Sequence, residues 1–304
     1  ESDTEDYSAL YNVVYCFDFL DQNEEAVAYL EQFIDKNPYS EVAWHQLGRQ
    51  FYSLKNYEKA VWAYDYATLI DESFLGAYLE KAKSLEKLKK YQEAIDCYKT
   101  TMELDDATSF ALLRVGKCYE KLGNIEIALK YYHKTVHEDP LLDKAWIAIT
   151  DFYIRQKNYP KALYYANKAI GIDSDNSDYW KRYAVINEAM NHFEEAELGY
   201  KKSFELGDIN LDTFLLWTNM LQVIGENEEA IEILLHATEV FPDEYEIEYR
   251  LAGLYYLNGE TKKGNFHLNN ALRMNFKNHT LFQELFPSIW NKKSVQNIIK
   301  KYSE

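Results

Sequence analysis

The stretch Ala43–Ala67, AWHQLGRQFYSLKNYEKAVWAYDYA, decides the fold. Its apolar and small residues fall as Trp44-x2-Leu47-Gly48-x2-Phe51, then as Ala60-x3-Tyr64-x2-Ala67. Steps of three and four place residues on one side of a helix. The stretch therefore predicts two short amphipathic helices, with small residues where they touch and a polar turn at Lys55-Asn56. Moving 34 residues along the chain in either direction returns the same pattern. A period of that size marks helix pairs that stack, because one pair alone buries only part of its apolar surface.

Eight units follow in phase, 7–40, 41–74, 75–108, 109–142, 143–176, 177–210, 211–244 and 245–278. The twentieth column is always small: Ala26, Ala60, Ala94, Ala128, Ala162, Ala196, Ala230 and Gly264. A small residue there lets the second helix approach the first at the roughly 8–10 Å of tight packing. Four residues on stand Leu30, Tyr64, Tyr98, Tyr132, Ala166, Tyr200, Leu234 and Leu268, on the same face. The eleventh column is apolar except at Asn187. Units close near Pro38, Pro140 and Pro242, with Glu72, Asp106, Ser174 and Asp208 at the matching place elsewhere; proline stops a helix, and Asp or Ser can cap the next.

Composition agrees with an all-α chain. Gly and Pro number only 11 and 5, too few for a turn-rich β fold. The net charge of −17 makes this an acidic protein and argues against nucleic acid or an anionic membrane as partner. No apolar run reaches the length of a membrane span, and no signal-peptide pattern opens the chain, so a cytoplasmic location is expected. Cys16, Cys97 and Cys118 fit neither a disulfide framework nor a zinc spacing, and read as buried reduced thiols.

The two ends differ. Residues 1–6 read as the tail of a preceding repeat, implying a fragment of a longer chain. Residues 279–304 read as a cap: Phe282, Leu285 and Phe286 begin a ninth first helix that Pro287 interrupts, and Val295, Ile298, Ile299 and Tyr302 stripe one face of a last helix whose other face carries Lys292, Lys293, Lys300 and Lys301. Helix Tyr7–Leu20 is apolar nearly all round, so Val13, Cys16, Phe17 and Leu20 are expected to pack against upstream repeats or a second copy.

Trp44, Leu47, Gly48, Phe51, Ala60, Tyr64 and Ala67, recurring at 34 residues, resemble the tetratricopeptide repeat (TPR), and unit four repeats the likeness through Gly116, Tyr119, Ala128, Tyr132 and Pro140. The chain looks most like long bacterial proteins made only of these repeats. The resemblance covers residues 7–278. It implies a right-handed α-α superhelix whose first helices line a concave groove, closing a full turn in about seven or eight repeats. Val14, Ala82, Thr150, Ala184, Thr218 and Ala252 replace the glycine of the motif.

In this family positions 2, 5, 6, 9, 12 and 13 of each unit line the groove. In units two to six that set holds His45, Arg49, Lys83, Lys87, Arg114, Lys117, Lys121, Lys144, Arg155, Lys181 and Arg182, facing Glu80, Glu86, Glu120, Asp151, Asp178 and Glu188. Tyr52 joins them in unit two. Eleven bases against six acids, in a chain of −17, suggest a basic stripe that favours an acidic, extended segment. At the groove ends Tyr11, Tyr15 and Phe19, and Leu215, Val223, Tyr249, Tyr256 and Leu257, offer apolar anchors. Chaperone-binding members hold a C-terminal carboxylate with Lys and Asn at positions 5 and 9, and no unit here has both. His133 and His137 have a metal-chelating spacing but no obvious third ligand, so no metal is expected. No phosphate loop, nucleophile elbow or other catalytic motif appears, and no cofactor is implied.

The expectation is a non-catalytic scaffold that captures an extended or helical segment of another protein. The alternatives are a structural module self-associating through its apolar N-terminal end, as a possible homodimer, and the substrate-recruiting arm of a larger protein.

Overall fold

The computed structural model describes residues 7–302, so the expectation for residues 1–6 lies outside it. The described residues form helices and no strands. The chain divides into two compact units, one ending at Gln156 and one beginning at Lys157, and the boundary falls inside the fifth sequence unit. The first holds α1 Tyr7–Phe19, α2 Asn23–Lys36, α3 Glu41–Ser53, α4 Tyr57–Ile70, α5 Leu75–Lys87, α6 Tyr91–Leu104, α7 Ser109–Lys121, α8 Ile125–Glu138 and α9 Asp143–Arg155. The second holds α10 Tyr159–Ile172, α11 Ser177–Ala189, α12 Phe193–Glu205, α13 Leu211–Ile224, α14 Asn227–Val240, α15 Tyr245–Leu257 and α16 Thr261–Met274. A 3-10 turn at Phe276–Asn278 then leads to α17 Thr280–Leu285, α18 Pro287–Trp290 and α19 Lys293–Lys300. Within each compact unit a helix packs on the next in sequence.

The turn between paired helices has one geometry. The fifteenth residue of every unit has positive φ: Asp21, Lys55, Lys89, Gly123, Lys157, Asn191, Gly225 and Gly259. The following N–H then reaches back to the carbonyl of the eleventh residue, as in Asn56 to Phe51 (2.8 Å), Lys90 to Leu85 (2.9 Å) and Glu260 to Tyr255 (2.8 Å). This is a Schellman closure, which satisfies carbonyls the helix end would leave open. At the other junction a tryptophan at the fourth position ties its helix to the preceding turn. Nε1 of Trp44, Trp146 and Trp180 donates to the carbonyl of Pro38, Pro140 and Ser174, at 2.9, 2.9 and 2.8 Å.

The core follows the columns. The twentieth and twenty-fourth residues of all eight units are buried. Gly48 lies under the Tyr64 ring and Gly116 under the Tyr132 ring, where an added Cβ would come within 2.5 Å of a ring carbon. Where Ala184 replaces that glycine, the small residue moves to the partner helix: a Cβ on Gly199 would lie 2.9 Å from that of Ala184. The polar break Asn187 is buried and donates to its own helix, to the Tyr183 carbonyl at 2.9 Å. Cys97 and Cys118 are buried, and burial pushes their thiols up to about 11 and about 12. Cys16 is exposed, which corrects the expectation of three buried thiols: it lies on the uncovered side of α1.

In the cap, Pro287 ends α17 and starts α18. Phe282, Phe286, Val295 and Ile299 are buried, while the four lysines of the last segment are exposed. On α1, Leu10 and Val14 face the core and Phe17 leans on Tyr29, with ring centroids 6.1 Å apart. Tyr15, Phe19 and Leu20 remain 69%, 79% and 59% exposed.

Two alanine substitutions separate close packing from helix propensity. Gly48→Ala should lower stability by about 1–3 kcal/mol, because the Tyr64 ring must move within a filled core. Gly171→Ala, exposed near the end of α10 with nothing within 4 Å, should raise it by about 0.5 kcal/mol. Urea unfolding followed by circular dichroism reads both, and equal effects would refute the role given to the glycine under the ring.

Candidate partner-binding face

The second, fifth, sixth, ninth, twelfth and thirteenth positions of the first helices carry the charges that sequence reasoning singled out. In the unit ending at Gln156 most of them are already paired. The Arg114 guanidinium forks onto Glu86, with Nε donating to Oε1 at 2.8 Å and Nη2 to Oε2. Arg155 Nη1 donates to Glu120 Oε1 at 2.6 Å, and Lys83 to Glu80 at 2.7 Å. Arg49 lies 3.9 Å from Asp18 and donates to Gln46 at 3.0 Å.

Core tyrosines complete these pairs. Tyr98 donates its hydroxyl to Glu86 at 2.7 Å, and Tyr132 to Glu120 at 2.5 Å. The second compact unit repeats the bond, Tyr200 to Glu188 at 2.6 Å. Each joins the twenty-fourth residue to the twelfth, so a buried ring ends on a groove-position carboxylate. The consequence for charge depends on arginine. Burial pushes the Glu120 carboxyl up, but the Tyr132 hydroxyl and Arg155 more than offset this and hold it below its usual range. Glu188 accepts from Tyr200 alone, burial dominates, and its carboxyl is raised. Sequence reasoning missed this ladder. Its signal was present: units three, four and six combine Glu at position 12 with Tyr at position 24.

His45 is no cation. Its ring lies against Phe74 and Tyr64, with centroids 4.9 and 5.7 Å away, and neither buried ring nitrogen has a hydrogen-bond partner among the described residues. Burial, helped by Arg49 and opposed by Glu80, lowers its pKa to about 4. The count of eleven bases is thereby corrected to ten charged at neutral pH. Tyr52 is half-buried and stands edge-on to Tyr57, centroids 5.3 Å apart.

Lys87, Lys117, Lys121 and Lys144 make no ion pair among the described residues. Lys87, Lys121 and Lys144 are exposed. Lys117 is half-buried, and burial, then the charges of Arg114 and Lys144, lower its pKa. Lys117 and Lys144 line a cavity of about 240 Å³ together with Phe110, Leu113, Arg114 and Leu142.

In the second compact unit Lys181 borders an open cavity of about 510 Å³ with Leu215, Asn219 and Arg250, and Arg182 lies 3.7 Å from Asp178. Leu215 is half-buried there, while Val223 and Leu257 are exposed. Tyr249 and Tyr256 are not exposed anchors. Both are buried, their rings stand 6.1 and 6.4 Å from Phe282, and their hydroxyls donate to the Asn275 carbonyl (3.0 Å) and Asn265 Oδ1 (2.5 Å). The cap corrects that expectation: Phe286 fills the space beside Gly253, and α15 becomes core. Tyr11, Tyr15 and Phe19 on α1 are exposed. His133 is half-buried and His137 exposed, and no cluster of three His, Cys, Asp or Glu side chains suited to a metal occurs among the described residues.

A profile described as "Anaphase-promoting complex, cyclosome, subunit 3" matches residues 20–101, and one described as "Tetratricopeptide repeat" matches residues 110–141. The fold is similar to the C-terminal part of a TPR repeat-containing protein from Cytophaga hutchinsonii, with a TM-score of 0.68 at 17% identity over 79% of this chain and 98% of that one. It is also similar to a tetratricopeptide repeat protein from Parabacteroides merdae, with a TM-score of 0.55 at 15% identity over 90% and 99% of the two chains. The chain is a tetratricopeptide repeat protein. PilF of Pseudomonas aeruginosa is another similar structure, with a TM-score of 0.56 at 18% identity over 66% of this chain and 92% of that one. Identities this low show the fold alone. No curated protein matches the chain. As in other TPR proteins, the columns that match the family are core, and the residues between them carry this chain's own chemistry.

His45 gives this TPR protein a pH signature. An unfolded histidine titrates near 6.5 and the folded one near 4, so in that window the unfolded state binds the extra proton. Stability is unaffected by His45 above pH 6.5 and falls as pH drops below it, by about 3 kcal/mol on reaching pH 4. His45→Leu should flatten the fall in urea midpoint between pH 7 and pH 5, before most carboxylates titrate. An unchanged slope in the variant would contradict a buried neutral imidazole.

Proposed function

We propose that this chain is a non-catalytic scaffold that holds an extended or helical segment of a partner protein against its first helices, in the concave groove that its repeat family implies. One observation carries the reading. In the unit ending at Gln156, Glu80, Glu86 and Glu120 are each engaged by a base or a tyrosine, while Lys87, Lys117, Lys121 and Lys144 make no ion pair among the described residues. A face with unspent positive charge, in a chain of −17, selects a partner by sign more than by area. The arrangement favours an acidic peptide over nucleic acid or a lipid surface, and no helix among the described residues is long and apolar enough to cross a membrane. A cytoplasmic partner suits this reading.

Peptide-display selection on the intact chain should return sequences enriched in Asp and Glu. Reversing Lys87 and Lys121 to Glu together should weaken a selected peptide at least tenfold and flatten its salt dependence. Recovery of the same peptides with unchanged affinity would rule out the groove reading.

A second reading is self-association through α1, favoured by the exposure of Tyr15 and Phe19 on that helix and of Leu20 just after it. Sedimentation velocity should then show a concentration-dependent dimer that Phe19→Lys abolishes. A monomer at every concentration removes this reading.

A further inference from the structure

The cavity between α7 and α9 combines three features that the rest of the first-helix face does not. It is partly enclosed, at about 240 Å³, room for one side chain. Its lining joins the apolar Phe110, Leu113 and Leu142 to the cationic Arg114, Lys117 and Lys144, with Ser109 beside them. Its cations are unequal. Arg114 is spent, since both arms of its fork hold Glu86, which also accepts from Tyr98. The other acid near Lys117 is Glu120, held by Arg155 and Tyr132. Lys117 and Lys144 are left near one another's charge without a direct ion pair among the described residues, and Glu86 and Glu120 offset the repulsion at Lys117 only in part.

We infer that this cavity receives a single carboxylate carried beside an apolar side chain, with Lys117 and Lys144 as its anion-binding groups and Phe110, Leu113 and Leu142 as the apolar wall. The inference rests on the groove reading and names the chemistry of one subsite within it. An ammonium that is half-buried beside two other cations gains from an opposite charge, because the anion offsets both its lost hydration and the mutual repulsion. The depressed pKa of Lys117 has these same causes. The chemistry favours carboxylate over phosphate. The planar fork that would clasp a phosphate at two points is committed within the chain, and the two remaining donors are compact point charges. The apolar wall is held in place: the Phe110 ring lies 5.5 Å below the Lys83 ammonium and edge-on to Tyr98, with ring centroids 6.5 Å apart. A short aliphatic or aromatic neighbour of the bound acid would cover it.

The carboxylate has two sources, a side chain or a chain terminus. Three probes distinguish them: acetyl-Gly-Leu-Glu-Phe-Gly-amide, its Gln counterpart, and the Gln peptide with a free C-terminal carboxylate. Each is titrated to millimolar concentration into the intact chain carrying 13C-labelled lysine, and the Lys117 and Lys144 side-chain signals are followed. The Glu peptide should bind at least tenfold more tightly than the blocked Gln peptide and should make Lys117 titrate at higher pH. That preference should collapse in Lys117→Gln and in Lys144→Gln, return in Lys117→Arg, and survive in Lys130→Gln, exposed on the second helix α8, with circular dichroism unchanged throughout. Preference for the free-terminus peptide, lost in the same two variants, supports the cavity with a terminal carboxylate as occupant. A Glu preference that persists in both glutamine variants, or no response of Lys117 to either acid, overturns the assignment. The groove reading is judged separately, because display-selected peptides that still bind and still depend on Lys87 and Lys121 leave it standing.

Discussion

The contact on which this structure depends is a tyrosine ring laid on a stretch of helix that lacks a side chain. Tyr64 over Gly48 and Tyr132 over Gly116 bring the helices of a pair together, and the alanines at Ala60 and Ala128 keep that approach open on the neighbouring turn. A closely packed interior offers little tolerance at such a point. That is why substitutions in this column stay small or β-branched, and why Ala184 is matched by Gly199 on the opposing helix. The requirement belongs to the sum of two residues, one from each helix, and not to either alone.

The same ring reaches beyond the core. A tyrosine anchored by its ring has a hydroxyl that must find a partner when buried. In three repeats the partner is the glutamate at the twelfth position, so packing also fixes where a groove-position carboxylate stands. In unit two the twelfth residue is Tyr52, and the Tyr64 hydroxyl is buried without a partner among the described residues. His45 beside it has no partner either, which makes this pair of helices polar inside without compensation. The cost is electrostatic: the imidazole stays neutral, and a site that looked basic in the sequence contributes no charge.

Reading by column recovered the architecture because the columns answer to local geometry. The 34-residue phase, the small twentieth residues, the turn at the fifteenth and the striped last helix all depend on residues within one repeat or its neighbour. The face was recovered less completely, for a physical reason. Whether a base is free depends on a contact between repeats, as when Arg114 of the fourth reaches Glu86 of the third. Position within a repeat does not report that contact. The failure at Tyr249 and Tyr256 has the same origin. A groove position is open only if nothing packs on it, and Phe282 and Phe286 of the cap do. At α1, Phe17 and Val13 are partly covered by the chain itself, while Leu20 and Cys16 are exposed.

These internal pairs change how the charge on the face should be understood. Counting residues gives a basic stripe with acids scattered through it. Counting what is left after the tyrosines and arginines have taken the glutamates gives a few lysines on a nearly neutral, rigid floor. The two pictures differ in what a ligand must do. A stripe attracts any polyanion through long-range potential, and salt would erase most of that attraction. A few unpaired ammonium groups beside apolar walls demand a carboxylate at a particular place, and the half-buried one among them is screened least. Arg114 thus acts on selectivity by being unavailable: with both arms of its fork on Glu86 it cannot clasp phosphate, and recognition in this cavity is left to Lys117 and Lys144.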